Sequence, residues 1–301
     1  MIQRNWYLAC ATLCVAAMTL TAVSLTDGQA QESDDGTTES LLQQTVDALP
    51  EAPATIELAR MTLAPGAGRE MVVPGPELYA VESGSLGIRV DGPAFLNRAA
   101  TGGEPSAPEE MEPGVDYVLQ PGDQAMVLTR VAHQLINDGQ EPVTFLNVVI
   151  YEQDAALPSW LPEAVLPEGV GITPIAADVI IDEGVLPKGR ADVAVERVTI
   201  AVGDDLPAEI TDGLALIVVE DGVLSVTYEQ GATSTPIATP DATPAATPAS
   251  AATPTSAGPL SGDRVAGEVV RVSPGMGFSA GNGGDAPLSV IALVISASES
   301  A

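Results

Sequence analysis

An internal repeat constrains the fold of this chain more than any other feature, because two similar segments of domain length predict two similar domains. Three pairs of blocks match in hydrophobicity and in the position of their turns: residues 60–66 with 197–203, 77–86 with 215–224, and 137–150 with 282–295. We therefore predict two copies of one domain in tandem.

The pattern within each copy is that of an all-β protein. From Ile56 onward, short runs rich in Val, Ile, Leu and Tyr are separated by Gly, Pro and Asp, and no long helical period follows. The preceding residues 31–55 are polar and acidic, and we read them as a leader to the first domain. Within that leader, the apolar pairs around Leu41, Leu42, Val46 and Leu49 predict a brief helix.

The repeat also sets the domain boundaries. We predict a first barrel at 56–152 with a variable loop at 92–114, a Pro-rich connector at 153–190, and a second barrel at 191–297 with a Thr/Pro-rich loop at 231–262. An Ala-Thr-Pro motif recurs in the last of these loops, and proline this dense denies donors to a sheet, so the segment is expected to be extended. Although it resembles an interdomain linker, the repeat places it inside the second domain.

The first 30 residues predict an export signal, in the form of a signal helix. Arg4 precedes an apolar run from Trp6 to about Leu25, and small residues lead up to Ala30, after which we expect cleavage. The alternative is an uncleaved anchor, because the run is long enough to span a bilayer. The expected location is therefore extracellular or at the cell surface.

Both cysteines of the chain, Cys10 and Cys14, lie inside this segment. Its removal leaves a mature protein without thiols, which excludes disulfides, thiolate metal sites and thiol catalysis from that protein.

The net charge bears on the partners. The chain has 11 Lys and Arg residues against 41 Asp and Glu, a formal charge of -30. This balance repels phosphate backbones and anionic lipid headgroups, so we expect no nucleic-acid partner, and membrane contact only through the N-terminal segment if it stays uncleaved. The acidic residues are scattered, which favours a role in solubility over one in binding cations or basic partners.

The matched blocks resemble the two motifs of the cupin superfamily. Gly84 sets the register of the first motif and puts Glu77 at the position of the family's metal-binding glutamate, whereas Met71 and Val73 stand near its two histidines. Gly122-Asp123, followed by His133 and Asn137, is similar to the second motif. The resemblance implies two tandem cupin-like jelly-roll barrels, a bicupin with degenerate metal-binding motifs.

The resemblance also implies a candidate site in the first barrel. Its metal ligands would be Glu77 and His133, the only histidine in the chain, with Glu70 or a water completing a poor divalent site. The competing reading is that His133 is a hydrogen-bonded interior histidine and no cofactor binds. The predicted ligand pocket comprises Glu77, His133, Met71, Val73 and Tyr79. In the second copy, Ala215 and Phe278 replace the two ligands, which implies a filled core.

No catalytic residue is predicted. With one histidine and no Gly-x-Ser-x-Gly motif, a serine nucleophile has no support. The leading hypothesis is an exported, non-enzymatic bicupin-like protein that binds a small molecule or a partner, with homodimer formation expected by analogy alone. The alternative is a weak metal-dependent cupin enzyme of the dioxygenase, isomerase or decarboxylase type. A third reading is a structural surface protein that displays the Thr/Pro-rich loop.

Overall fold

The computed structural model describes residues 36–99, 107–153, 155, 166–228 and 261–298. Strands hold 58% of these residues, and the other regular element among them is one 3-10 turn at Ala208–Thr211, which confirms the predicted all-β class. The predicted signal helix, both cysteines and nearly all of the Thr/Pro-rich loop lie outside the described residues. Within the described ranges, no helix has the length and apolar character needed to cross a membrane.

The strands are numbered in chain order. Those of the first half and the join are β1 (Thr37–Val46), β2 (Ala54–Leu63), β3 (Gly68–Met71), β4 (Glu77–Ser83), β5 (Leu86–Val90), β6 (Ala94–Asn97), β7 (Glu109–Glu110), β8 (Asp116–Leu119), β9 (Gln124–Val127), β10 (His133–Ile136), β11 (Val143–Glu152) and β12 (Val170–Ile181). Those of the second half are β13 (Ala191–Ile200), β14 (Leu214–Asp221), β15 (Val223–Tyr228), β16 (Gly262–Val265), β17 (Val269–Val272), β18 (Phe278–Asn282) and β19 (Leu288–Ala297).

Each half consists of two antiparallel sheets. In the first half the sheets have the strand orders β12-β2-β11-β4-β9-β6-β7 and β3-β10-β5-β8, and in the second half β1-β13-β19-β14-β17 and β16-β15-β18. This arrangement is consistent with the predicted pair of jelly-roll barrels. The variable loop predicted at 92–114 is not entirely a loop, because β6 and β7 lie within it and extend the larger sheet of the first half.

Equivalent turns occur at the same position of the repeat in the two halves. Gly84, between β4 and β5, has φ +77°, and Gly222, between β14 and β15, has φ +90°. A Cβ atom at Gly84 would lie 2.6 Å from the carbonyl oxygen of Pro142, and one at Gly222 would lie 3.2 Å from that of Pro287. The repeat therefore preserves a position that requires glycine for both its backbone angle and its close neighbours.

The larger sheets of the two halves are buried on both faces. One hydrophobic cluster fills each half, and a third contains residues of β2, β4 and β11 together with residues of β13, β14 and β19. Strand β4 shows the alternation: Tyr79 and Val81 belong to the core of the first half, whereas Leu78 and Ala80 belong to the shared cluster. Successive side chains of a strand point to opposite faces, so every second residue of β4 enters the interior of the first half.

The two halves exchange strands reciprocally. Strand β1 pairs along its length with β13 of the second half, and β12 pairs with β2 of the first half. The brief helix predicted in the leader is therefore wrong, because residues 37–46 form a strand. The buried side chains of β1 are Leu42, Gln44 and Val46, which alternate with the two-residue period of a strand.

The stretch predicted as a Pro-rich connector also contains sheet structure. Strand β12 lies at the edge of the larger sheet and includes Pro174, next to which its register with β2 shifts. Proline is tolerated there because an edge strand can do without one ladder donor.

Four charged side chains join the halves at equivalent positions of the repeat. Nε of Arg60 lies 2.6 Å from Glu82, and Nε of Arg197 lies 2.9 Å from Glu220. The Nη2 atoms cross over: that of Arg60 lies 3.5 Å from Glu220, and that of Arg197 lies 3.3 Å from Glu82. Both glutamates sit at register shifts between β4 and β11 or between β14 and β19, where a bulge re-aims a side chain.

Candidate functional site

The candidate metal ligands meet in the interior of the first half. Glu77 and Tyr79 occupy inward positions of β4, and His133 begins β10. Nε2 of His133 lies 2.7 Å from the Tyr79 hydroxyl and 3.2 Å from Oε2 of Glu77. The relative exposure of Glu77 is 0% and that of His133 is 4%, so solvent does not reach this cluster. We call these three residues the interior cluster.

Each polar end of the interior cluster is held by a protein group. Nδ1 of His133 donates to the carbonyl oxygen of Val131 at 3.0 Å, and Nδ2 of Asn147 donates to Oε1 of Glu77 at 2.9 Å. The proton fixed on Nδ1 leaves the lone pair of Nε2 facing the Tyr79 hydroxyl whenever His133 is neutral. Oε2 of Glu77 has no well-aligned donor, so its contact with Nε2 is chiefly electrostatic.

The remaining predicted pocket residues are packed around this cluster. Met71 pairs with His133 across β3 and β10, its sulfur lies 3.8 Å from the Tyr79 hydroxyl, and Val73 is buried in the same hydrophobic cluster. The structure thus brings all five predicted pocket residues into one core. These residues lie in a core that solvent does not reach. Ligand binding by them remains a prediction.

Arg69 is a member of this environment that the sequence analysis missed. It is buried on β3 two residues before Met71 and therefore shares the inward face, whereas Glu70, the predicted third ligand, is exposed and paired with Gln134. Burial lowers the pKa of the Arg69 guanidinium, and the charge of Glu77 opposes that shift. A cationic side chain of the protein thus acts on Glu77.

The electrostatics favour a charged pair beside a neutral phenol. Burial lowers the pKa of His133, but the adjacent Glu77 carboxylate and the carbonyl oxygen of Val131 raise it by more, so the net shift is upward. Burial and the Glu77 carboxylate raise the pKa of the Tyr79 hydroxyl well above its usual value. Tyr79 therefore remains protonated, and His133 takes up a proton more readily than a free imidazole does.

These residues do not fit a divalent metal ion. Such a site needs three or four converging imidazole or carboxylate ligands, and among the residues that the structure describes no group of three His, Cys, Asp or Glu side chains comes together. Arg69 would also repel a cation placed beside Glu77. Glu70, on the outer face of β3, cannot supply the third ligand.

The second half has apolar side chains where the first has its interior cluster. Strand pairing places Ala215, Ile217, Phe278 and Ala292 at the positions of Glu77, Tyr79, His133 and Asn147. Ala215, Ile217 and Ala292 belong to the hydrophobic core of that half, and Phe278 packs against it. Asn147, which donates to Glu77 of the interior cluster, was not predicted, and its signal in the sequence was a single amide in a largely apolar strand.

The asparagine of the second motif holds a turn. Nδ2 of Asn137 donates to the carbonyl oxygens of Leu63 and Glu141, each at 2.8 Å, and its Oδ1 accepts from the backbone of Gly139. Asn282 makes the same three bonds, to Ile200, Ala286 and Gly284. The match at Asn137 therefore reflects a structural requirement common to both halves.

A cleft of about 720 Å³ lies apart from the interior cluster, where β1 and the start of β13 face β6 and β9. Residues that line it include Gln43, Thr45, Phe95, Asn97, Met126 and Arg190. Unlike the interior cluster, the cleft lies at the surface and is bounded by both halves. The sequence could not predict it, because its walls depend on the exchange of β1.

Comparison with known proteins finds similarity only at the level of structure. No protein-family model and no curated protein matches the chain. Among solved structures, a cupin 2 conserved barrel domain protein from Leptotrichia buccalis is 10% identical with a TM-score of 0.33, covering 86% of this chain and 92% of that one. AerE from Microcystis aeruginosa is 12% identical with a TM-score of 0.39, covering 85% and 98%. Oxalate decarboxylase from Lactobacillus farciminis is 13% identical with a TM-score of 0.39, covering 86% and 85%.

These neighbours include cupin proteins, the superfamily that the sequence motifs resemble. At such identities and TM-scores, the architecture rests on the strands described above, and no activity is transferred to this chain.

Proposed function

We propose that this chain is a non-catalytic, cupin-like binding protein that acts outside the cytoplasm and binds a small molecule or a partner. One observation carries the non-catalytic part: both ring nitrogens of His133 are engaged by protein groups, Nδ1 by Val131 and Nε2 by Tyr79 and Glu77. A general acid or base must reach the proton that it transfers, and a metal ligand must offer a free lone pair. His133 does neither in this arrangement.

Retention of the interior cluster has a structural explanation. A buried carboxylate is costly unless it is paired and hydrogen-bonded, and Glu77 has His133, Asn147 and Arg69 for that purpose. These side chains therefore stabilise one another in the core, and we place the binding of a small molecule or partner at other surfaces of the protein.

A metal-dependent enzyme is the competing proposal, and one observation favours it. Glu77 and His133 converge, as two ligands of a cupin metal would. Elemental analysis of the purified protein for manganese, iron, nickel and zinc separates the proposals. We expect less than stoichiometric metal, with the same content in His133→Ala and in the control Gln134→Ala, which changes an exposed neighbour on β10. Stoichiometric metal that disappears only in His133→Ala would establish the enzyme proposal instead.

Export is the second component of the proposal. It is supported by the apolar run that follows Arg4 and by the small residues that end at Ala30. N-terminal sequencing of the protein recovered outside the cytoplasm is expected to begin at Gln31. Retention of the intact chain in the membrane fraction would replace a secreted protein with an anchored one, and recovery in the cytoplasm would refute export.

The partners follow from charge and architecture. A net charge of -30 disfavours nucleic acids and anionic lipids, so membrane contact is proposed only through an uncleaved N-terminal segment. A homodimer is proposed through the exposed edges of the larger sheets, and light scattering of the purified protein tests it. Calorimetric titration with metals and sugars tests small-molecule binding, and efficient turnover of any of them would refute the non-catalytic part.

A further inference from the structure

Strand β1 has one edge without a paired strand. It pairs with β13 on one side, and in the described part of the chain no strand pairs with its other side. The backbone amide of Gln43 marks that free edge, because it donates to Oε1 of Gln124 at 2.9 Å instead of to β13. In an antiparallel ladder the backbone groups of every second residue face the same way, so the amide and carbonyl groups of Thr45 also lie on the free edge. An edge of this kind can accept a further strand.

The cleft between the halves lies along this free edge. Its lining includes Gln43 and Thr45 of β1 and Asp47 directly after the strand. Across the cleft, Phe95 of β6 and Met126 of β9 supply apolar surface. An extended peptide alternates its side chains between two faces, so a strand added to β1 can pack one side chain on this apolar wall while its backbone pairs with the edge.

Acidic side chains that are distant in the sequence meet around the cleft. Asp47 and Asp192 line it, and the exposed Glu109 directly follows Pro108, another lining residue. Among the described lining residues, Arg190 is the only cation, and it lies 3.3 Å from Asp47. Carboxylates are thus in excess at the cleft, and the net charge of -30 attracts cationic partners over a longer range.

We propose that this cleft binds a partner protein through an extended cationic segment, which adds as a strand to the free edge of β1 and places lysine or arginine side chains beside Asp47 and Asp192. This assignment rests on the proposed binding function and names its surface and the chemistry of the partner. A second copy of the chain is disfavoured here, because it would bring its own acidic edge against that of the first. A homodimer is therefore expected to use other sheet edges.

Calorimetric titration of the purified protein with synthetic peptides tests the assignment. The probe is a peptide of the sequence Lys-Val-Lys-Val-Lys with blocked ends, which alternates cationic and apolar side chains. The peptide Glu-Val-Glu-Val-Glu reverses the charge. The lysine peptide with all of its amides N-methylated keeps the charge but cannot donate to a strand, and spermidine is a cation without a peptide backbone.

Two substitutions at one position separate the backbone from the side chain. Thr45→Pro removes the amide on the free edge and leaves the ladder with β13 intact, because proline is tolerated where the missing donor faces away from the sheet. Thr45→Val is the matched control, since both variants lose the hydrogen bond to Asp192 but only proline removes the amide. Asp47→Asn combined with Asp192→Asn tests the charge, with Asp116→Asn on β8 as the control at an exposed carboxylate outside the cleft.

We expect the lysine peptide to bind and to slow the hydrogen exchange of the Thr45 amide. Thr45→Pro is expected to weaken binding about tenfold relative to Thr45→Val, because one backbone hydrogen bond is lost. The double Asp→Asn variant is expected to weaken it about fivefold, with a smaller effect at high salt, and Asp116→Asn to leave it unchanged. The melting temperature of each variant is measured first, and the N-methylated peptide provides the test if Thr45→Pro does not fold.

The assignment is overturned if the lysine peptide does not bind, or if the N-methylated peptide, the glutamate peptide or spermidine binds as tightly. It is also overturned if Thr45→Pro and Thr45→Val bind the peptide equally, or if light scattering shows a dimer that only Thr45→Pro abolishes, since a second copy would then occupy the edge. Binding of a sugar or a metal without binding of the peptide would refute this surface while leaving the proposed binding function intact.

Discussion

The hydroxyl group of Tyr79 lies 2.7 Å from Nε2 of His133, at a place where the second half of the chain has Ile217 and Phe278. Two copies of one fold thus have cores of opposite character. The polar core is stable only as a set, because each member satisfies a charge or a hydrogen bond of another.

Replacing His133 with phenylalanine, the residue of the second half, is expected to lower the free energy of unfolding by about 3–5 kcal/mol, because a buried carboxylate loses its paired cation. Adding Glu77→Ala to that variant removes the carboxylate and is expected to recover more than about 1 kcal/mol. Urea denaturation measures both, with Gln134→Leu as the control. A single substitution that costs under about 1 kcal/mol would show that the pair does not interact in the folded protein.

The protonation of His133 can be followed directly, because it is the only histidine of the chain. Its ring proton resonances are expected to titrate with a midpoint above about 6.5, the value of a free imidazole, since the effect of Glu77 outweighs that of burial. The control Glu77→Gln is expected to lower that midpoint, because burial then acts unopposed. A midpoint below that of a free imidazole in the unmodified protein would contradict the pairing.

The same shift makes stability depend on pH. A pKa that is higher in the folded than in the unfolded state stabilises the protein fully below the unfolded value, and this contribution is lost as the pH rises through the folded value. Urea denaturation is therefore expected to give a falling free energy of unfolding from about pH 6.5 upward, and a flatter profile in His133→Phe. Equal slopes in the two proteins would assign the pH dependence to other groups.

Asn137 and Asn282 provide a matched pair for testing the motif that the halves share. Each donates to two carbonyl oxygens and accepts from one backbone amide, so Asn→Ala at either position is expected to cost roughly 2–3 kcal/mol. Asn→Asp keeps the acceptor and loses both donors, and it is expected to cost at least as much. Thermal unfolding measures all four variants. A large loss at Asn137 alone would indicate that this residue has a role peculiar to the first half.

The ion cluster predicts coupling between the halves. Arg60 contacts Glu220 across the interface, and the side chains are only partly buried, so a double-mutant cycle of Arg60→Gln with Glu220→Gln is expected to give about 0.5–1 kcal/mol, decreasing at high salt. Arg89→Gln with Asp116→Asn, a pair at 3.8 Å on an exposed surface, is the control and is expected to give almost none. Equal coupling energies for both pairs would mean that the contact of Arg60 with Glu220 stabilises the interface between the halves no more than an exposed ion pair does.

The sequence predicted the duplication and the β class because both depend on local patterns. Alternation along a strand and glycine at a left-handed turn leave signals within a few residues, as Gly84 and Gly222 illustrate. The pocket of Glu77, Tyr79 and His133 was predicted from the resemblance to the cupin motifs, and the structure brings the three side chains together from β4 and β10. The duplication and the β class required only the repeat and the alternation within strands, whereas the pocket residues required the family motifs.

Features that depend on distant partners were not predicted. The strand character of β1 is decided by pairing with β13, and adjacent apolar residues at Leu41 and Leu42 gave a false helical pattern. Arg69 becomes significant only after the fold shows that it is buried. A charged or amide residue in a short strand has no sequence signal that separates an inward from an outward position unless its neighbours fix the register.

The exchange of β1 has a consequence for the order in which the molecule can be completed during synthesis. Glu39 and Arg197 are 158 residues apart along the chain, yet they are in contact in the folded protein. A ribosome therefore releases β1 long before its partner strand exists, and the edge of the second sheet closes with the oldest part of the polypeptide. The first half is built from β2–β12 alone, so its sheets can close before the second half is synthesised, whereas the second half needs β1, which is synthesised before all of its other strands.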